Sequence, residues 1–125
     1  MKELRILLAD DQERVRYALR ALLRQQPGFK VIGEAENARE LLALAEVLDP
    51  GLVLVDWNLP DMTGEKVMLS LRNINKDLPV IVISGQIEVK NAAYEAGANA
   101  YFSKANPPDR LVEAIRNVTR NLLRR

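Results

Sequence analysis

The chain has 125 residues, 48% of them hydrophobic and 28% charged, with a formal net charge of +1. One domain of this length buries roughly two thirds of its unfolded surface, and a balance so near neutral supplies no global field for nucleic acid or membrane. The absence of Cys excludes disulfides and thiolate metal sites, and the absence of His excludes Ser-His-Asp catalysis and imidazole zinc centres.

Leu4-Arg5-Ile6-Leu7-Leu8-Ala9 is apolar but for Arg5 and ends in Asp10-Asp11, and it reads as a first strand. From Glu13 the period becomes helical, with Val15, Ala18, Leu19, Leu22 and Leu23 on one face, until Pro27-Gly28 stops it. Phe29 to Ala35 reads as a second strand, at or near a sheet edge. Asn37 with Glu40 three residues on has capping-box spacing and opens a helix carrying Ala38, Leu41, Leu42, Ala45 and Leu48. Asp49-Pro50-Gly51 turns the chain into Val53-Leu54-Val55-Asp56, a short apolar run bounded by prolines that reads as a buried central strand ending in a carboxylate.

A loop through Gly64 leads to a helix with Val67, Met68, Leu71 and Ile74. Val80 to Ile83 is a fourth buried strand and ends at Ser84-Gly85. A helix from about Ile87 to Ala96 has a weak face of Val89, Ala92, Ala93 and Ala96, and Gly97 closes it. Ala100-Tyr101-Phe102 is a short fifth strand ending at Ser103-Lys104. Pro107-Pro108 begins the last helix, whose stripe is Leu111, Val112, Ile115, Val118 and Leu122. No stretch reaches the ~18 apolar residues of a membrane span. Met1 to Arg5 has no signal-peptide character, so a soluble, cytoplasmic protein is expected.

Five strands alternating with five helices predict an α/β doubly wound parallel sheet, helices on both faces, as one domain over residues 1–125. Strands one, three and four are the most apolar and belong in the middle, which gives the order 2-1-3-4-5. The carboxyl ends of the strands then bring Asp10, Asp11, Asp56, Ser84 and Lys104 to one edge. Three carboxylates at close range repel one another unless a cation sits among them. Oxygen donors without His or Cys point to Mg2+ or Mn2+. A hydroxyl and an ammonium opposite such an ion form a cradle for a phosphoryl group, and Asp is a phosphoryl nucleophile. The constellation reads as metal-assisted phosphoryl transfer onto Asp56.

These pieces, with Leu59-Pro60, Gly64 and the run Gly97 to Lys104, resemble a response-regulator receiver domain of two-component signalling over essentially the whole chain. The resemblance implies that Asp56 accepts phosphate from a sensor histidine kinase. It implies that Asp11, Asp56 and the backbone carbonyl of Asn58 hold Mg2+, with Asp10 acting largely through water. Lys104 would bond the phosphoryl oxygen, and Ser84 with Tyr101 would form a switch pair acting on the surface of the fourth helix, fifth strand and last helix. Ala105 stands where many receivers have Pro. This is similar to receivers of nitrate-regulator-type helix-turn-helix transcription factors, and it leaves the isomer of that peptide open. Homodimerisation on phosphorylation and a C-terminal DNA-binding domain outside this chain are the partners it suggests, with no membrane and no nucleic-acid contact by this domain. Asn58 and Gln86 flank the site, at positions that tune self-dephosphorylation in the family.

Three other functions compete, and the first, a nucleotide-binding domain, lacks any G-x-G-x-x-G or G-x-x-x-x-G-K pattern. An aspartyl-phosphate phosphatase usually carries a second acid two residues after the nucleophile, and that position is Asn58. A receiver-like interaction module could work without phosphorylation. Taken singly, Asp10-Asp11 would read as a cap of the first helix and Ser84 as a turn hydroxyl. Trp57 is expected to be partly exposed beside the site. Arg116, Arg120, Arg124 and Arg125 are expected on a solvated face of the last helix.

Overall fold

The structure is a computed structural model that describes residues 3–123, with side-chain environments through Arg120. Its elements are β1 (Leu4–Ala9), α1 (Glu13–Arg24), β2 (Phe29–Ala35), α2 (Ala38–Leu48), β3 (Leu52–Asp56), α3 (Gly64–Ile74), β4 (Val80–Ser84), a 3-10 turn (Ile87–Val89), α4 (Lys90–Glu95), β5 (Ala100–Ser103) and α5 (Asp109–Leu123). The sheet order is β2-β1-β3-β4-β5, and every pairing is parallel. This is the expected α/β doubly wound topology, with β2 at one edge.

The sheet separates two cores. Leu7, Ala9, Val53, Val55, Val80 and Val82 face one way, toward α2, α3 and α4. Ile6, Leu8, Leu52, Leu54, Ile81 and Ile83 face the other, against Leu23 of α1 and Leu111 and Ile115 of α5. Alternation along each strand sends successive side chains to opposite faces. Because both faces are covered, β3 and β4 are buried at every residue. Each fully buried aliphatic side chain contributes about 1.5–3 kcal/mol of transfer free energy, so β3 is among the firmest supports in the molecule.

Helix ends follow local chemistry. Asn37 accepts from the Glu40 amide at 2.8 Å, and the Glu40 carboxylate accepts from the Glu36 amide at 2.9 Å. At the far end of α2, Arg5 donates to the carbonyls of Leu48 and Asp49 at 2.6 and 2.7 Å. Gly97 follows α4 with φ of +104°, a conformation that an L side chain strains to adopt.

Two elements differ from expectation. The segment from Ile87 to Ala96 is not one helix but a 3-10 turn followed by the six residues of α4. Neither Gln86 nor Val89 supplies a side-chain cap, and only Ala93 is buried. A face of alanines leaves too little apolar area to hold a regular helix here. The last helix starts at Asp109, just after the prolines, whose carbonyls accept from Arg110 and Leu111 at 3.0 Å. All peptide bonds among the described residues are trans, that between Lys104 and Ala105 included. Arg124 and Arg125 lie outside the described residues, as does the side chain of Leu122.

Candidate functional site

Strand register builds the site. Ala9 pairs with Val55, so Asp10 and Asp56 leave the sheet side by side. Asp56 pairs with Ile83, and Ser84 with Ser103, which places Lys104 beyond the same edge. The Lys104 amide donates to the Ser84 carbonyl at 2.9 Å and holds that turn in place.

The Lys104 ammonium sits between two buried carboxylates, 2.9 Å from Asp10 Oδ2 and 3.1 Å from Asp56 Oδ2. Asp10 is 2% exposed and Asp56 is 6% exposed. The other oxygen of each is engaged locally: Asp10 Oδ1 accepts from the Gln12 amide at 2.9 Å, and Asp56 Oδ1 from the Asn58 amide at 3.0 Å. The contact of Lys104 with Asp10 Oδ2 lacks hydrogen-bond alignment, so this buried oxygen keeps an unmet lone pair. Asp11 is exposed, and oxygens of Asp10, Asp11 and Asp56 all lie within 4.8 Å of one another. The N-cap of α1 is Gln12, whose own side chain makes no capping bond, and the Asp10 carboxylate reaches only the Gln12 amide ahead of the helix.

Burial raises the Asp10 carboxyl above the ordinary Asp range. The Gln12 amide and the Lys104 ammonium pull it the other way, and the charge on Asp56 adds to the rise. Burial also works against the Lys104 charge. The contact with Asp10 and the charges of Asp56 and Asp10 outweigh it, and the ammonium holds its proton above the usual lysine range.

Ser84 is fully buried, but its hydroxyl does not turn to Asp56. It accepts from the Gln86 amide at 2.9 Å and lies 3.5 Å from the Gln86 carbonyl. The Tyr101 hydroxyl donates to that same carbonyl at 2.9 Å. The Gln86 side chain reaches across the mouth of the site, where its Oε1 accepts from Asn58 Nδ2 at 3.2 Å. Gln86 is therefore the joint at which Ser84, Tyr101 and the loop after β3 meet.

Trp57 corrects the sequence reading. It is 8% exposed and packs against Gly64, where a Cβ would lie 2.3 Å from the ring. Only a residue without a side chain lets the indole fold under the loop. Sequence periodicity also gives no sign of Asp61. Its carboxylate accepts from the Ala38 and Arg39 amides at 2.7 and 3.0 Å, pinning the loop after β3 to the start of α2. Those two amide bonds hold the Asp61 carboxyl below the ordinary Asp range. Turn chemistry at 59–64 marks a loop, but partners more than twenty positions away leave no local signal.

The architecture is that of a doubly wound α/β domain with acids and a lysine gathered at the carboxyl edge of its parallel sheet, where open sheets of this class bind ligands. Residues 6–116 match the family model for the response regulator receiver domain. The chain belongs to that family, and so to the receiver domains of two-component response regulators. It is 35% identical over 112 residues to the nitrate/nitrite response regulator protein NarL of Escherichia coli K12, an alignment covering 88% of this chain and 52% of that protein. The chain thus spans about half the length of the curated relatives it matches. A two-component response regulator of the LuxR family from Aurantimonas superposes with a TM-score of 0.88 at 30% identity, covering 94% of this chain and 85% of that one. A DNA-binding response regulator of the LuxR family from Staphylococcus aureus gives 0.82 at 27% identity, covering 91% and 97%. Among the described residues no helix is long and apolar enough to cross a membrane.

Proposed function

We propose that Asp56 is the phosphoacceptor of this domain, taking its phosphoryl group from the phosphohistidine of a sensor kinase. The observation that carries this reading is the Lys104 ammonium bridging two buried carboxylates beside a third, exposed one. An Asp56 oxygen forms the new P–O bond as the P–N bond to the donor imidazole breaks. Lys104, already charged and oriented, pairs with the oxygens of the incoming group.

The donor set suits Mg2+ or Mn2+. It is all oxygen, it converges within 4.8 Å, and it includes a buried acceptor without an aligned hydrogen. Asp11, Asp56 and the Asn58 carbonyl would hold the ion, with Asp10 acting largely through water. When bound, it neutralises charge on the carboxylates and the phosphoryl oxygens.

Phosphorylation adds about 1.5–2 negative charges and three acceptor oxygens next to Ser84. A hydrogen bond to a charged acceptor contributes about 1.5–3 kcal/mol, against about 0.5–1.5 for a neutral one. Exchanging the Gln86 partner for the phosphoryl group is therefore favourable for Ser84. That exchange frees the loop whose carbonyl holds Tyr101, and Tyr101 turns inward. The thin packing of α4 offers little resistance, so the surface of α4, β5 and α5 carries the change to an output. In the whole protein that output is a C-terminal DNA-binding domain acting in the cytoplasm, with the phosphorylated receivers pairing as a homodimer. The Asn58 amide, standing where a phosphatase would carry an acid, supports a signalling acceptor over a turnover enzyme.

Incubation with Mg2+ and acetyl phosphate, followed by intact mass, tests the assignment. One phosphoryl adduct is expected, absent in Asp56→Asn and absent when Mg2+ is chelated. An unmodified wild-type mass under excess donor sinks it.

A further inference from the structure

We infer that Arg16 is a positioning residue for the acidic pair: by holding the carbonyl of Asp10, it sets the direction in which Asp11 presents its carboxylate to a divalent cation. This rests on the proposed Mg2+-dependent reading of the site.

Asp11 is exposed, and among the described residues its carboxylate makes no hydrogen bond or ion pair. Only its backbone aims it. That backbone is gripped on both sides of Asp10. The Asp10 amide donates to the Ala35 carbonyl at 3.0 Å, and its carbonyl accepts from Arg16 Nη1 at 2.6 Å. The carbonyl belongs to the planar peptide joining Asp10 to Asp11. Fixing its oxygen fixes the plane, and with it the bond from which Asp11 departs.

Arg16 is itself braced. Its side chain is 13% exposed, with Nε 3.5 Å from Glu34 Oε1 and Nη2 3.9 Å from Glu36 Oε2. Glu34 is also paired with Arg20, so the carboxylate at the end of β2 is tied down in turn. A planar guanidinium can serve a carbonyl and a carboxylate at once, whereas a lysine ammonium lacks that fork. The two arginines and two glutamates sum to zero charge. The brace therefore orients the acids without adding positive charge that would repel a cation.

A purely structural role, tying α1 to β2, would give Arg16 and Arg20 the same importance. Arg20 shares Glu34 but has no contact with Asp10, so it is the control. The test is calorimetric titration of the unphosphorylated chain with Mg2+, alongside the metal-free melting temperature of each variant. Outer-shell partners typically change metal affinity roughly 10–100-fold, and Arg16→Ala is expected in that range. Arg16→Lys should recover only part of the loss. Arg20→Ala, which loosens Glu34 but leaves the Asp10 carbonyl held by Arg16, should lower the melting temperature while weakening Mg2+ binding far less than Arg16→Ala. Equal weakening in Arg16→Ala and Arg20→Ala, or none in Arg16→Ala, overturns the inference while leaving the proposed function standing. A wild-type chain that takes up no Mg2+ overturns both. Should Arg16→Ala not fold, Glu34→Gln loosens the brace and must still weaken Mg2+ binding; unchanged affinity there overturns the inference too.

Discussion

Among the described residues, Lys104→Met removes the only cation between Asp10 and Asp56 while keeping most of the side-chain volume. At an effective dielectric near 20, each contact of about 3 Å corresponds to about 5 kcal/mol of gross attraction. The Lys104 side chain is 27% exposed, so solvent screens it, and its own desolvation cost disappears with the charge. The net loss is therefore about 1–3 kcal/mol, below the about 3–5 of a fully buried pair that loses one partner. For a domain of this size that lowers the melting temperature by about 4–12 °C in chelator. Mg2+ neutralises the same carboxylates, so it should raise the melting temperature of Lys104→Met more than that of the wild type. Adding Asp10→Asn to Lys104→Met should restore part of the loss, since one of the two orphaned charges is gone. Differential scanning fluorimetry with and without Mg2+ reads all of these. A Lys104→Met chain as stable as wild type in chelator would refute the reasoning, because the ammonium would then not be holding the acids together. The pH dependence provides a second check. The folded value of Lys104 is raised, so its contribution is fully present below the ordinary value of 10.5 and is lost as pH rises through the folded value. That alkaline loss should be missing in Lys104→Met.

Gly64→Ala drives a methyl into the Trp57 ring and should cost about 1–3 kcal/mol in urea unfolding, with a shifted Trp57 emission; an unchanged midpoint would show the ring is not pinned. Arg72 donates to the carbonyls of Leu78 and Gly97 at 2.5 and 2.7 Å and to Asn99 Oδ1 at 3.0 Å, so Arg72→Ala should cost about 2–4 kcal/mol and speed amide exchange around Gly97. Asp61 has a lowered folded value, so its stabilisation is present above 3.8 and is lost as pH falls through the folded value. Asp61→Asn should flatten that part of the acid unfolding curve, and an unaltered curve would mean the two amide bonds carry no stability.

Strand positions and order were legible because β1, β3 and β4 are short apolar runs that end in polar residues at matching places. The convergence of Asp10, Asp11, Asp56 and Lys104 followed from topology alone. What the sequence hides is long-range and geometric. Ser84 stands at the site edge as its strand end implies, but the partner its hydroxyl holds there, the Gln86 amide, is a matter of turn geometry. Trp57 looked exposed because it follows a catalytic-looking residue in a loop, whereas the vacancy above Gly64 buries it. The alanine-rich face of α4 carries a helical period but too little area to enforce a helix from Ile87. Asp61 and Arg16 act through backbone groups of other segments, and backbone groups leave no trace in residue identity.

The sheet is a single layer, and its two cores have no residue in common. Repacking beneath α1 and α5 reaches α2, α3 and α4 only by displacing strands that are buried on both sides. Substitutions in the two cores should therefore combine additively, while pairs within one core should not. Such independence lets the helices of one flank vary without disturbing those of the other, with Asp56 fixed in the wall between them.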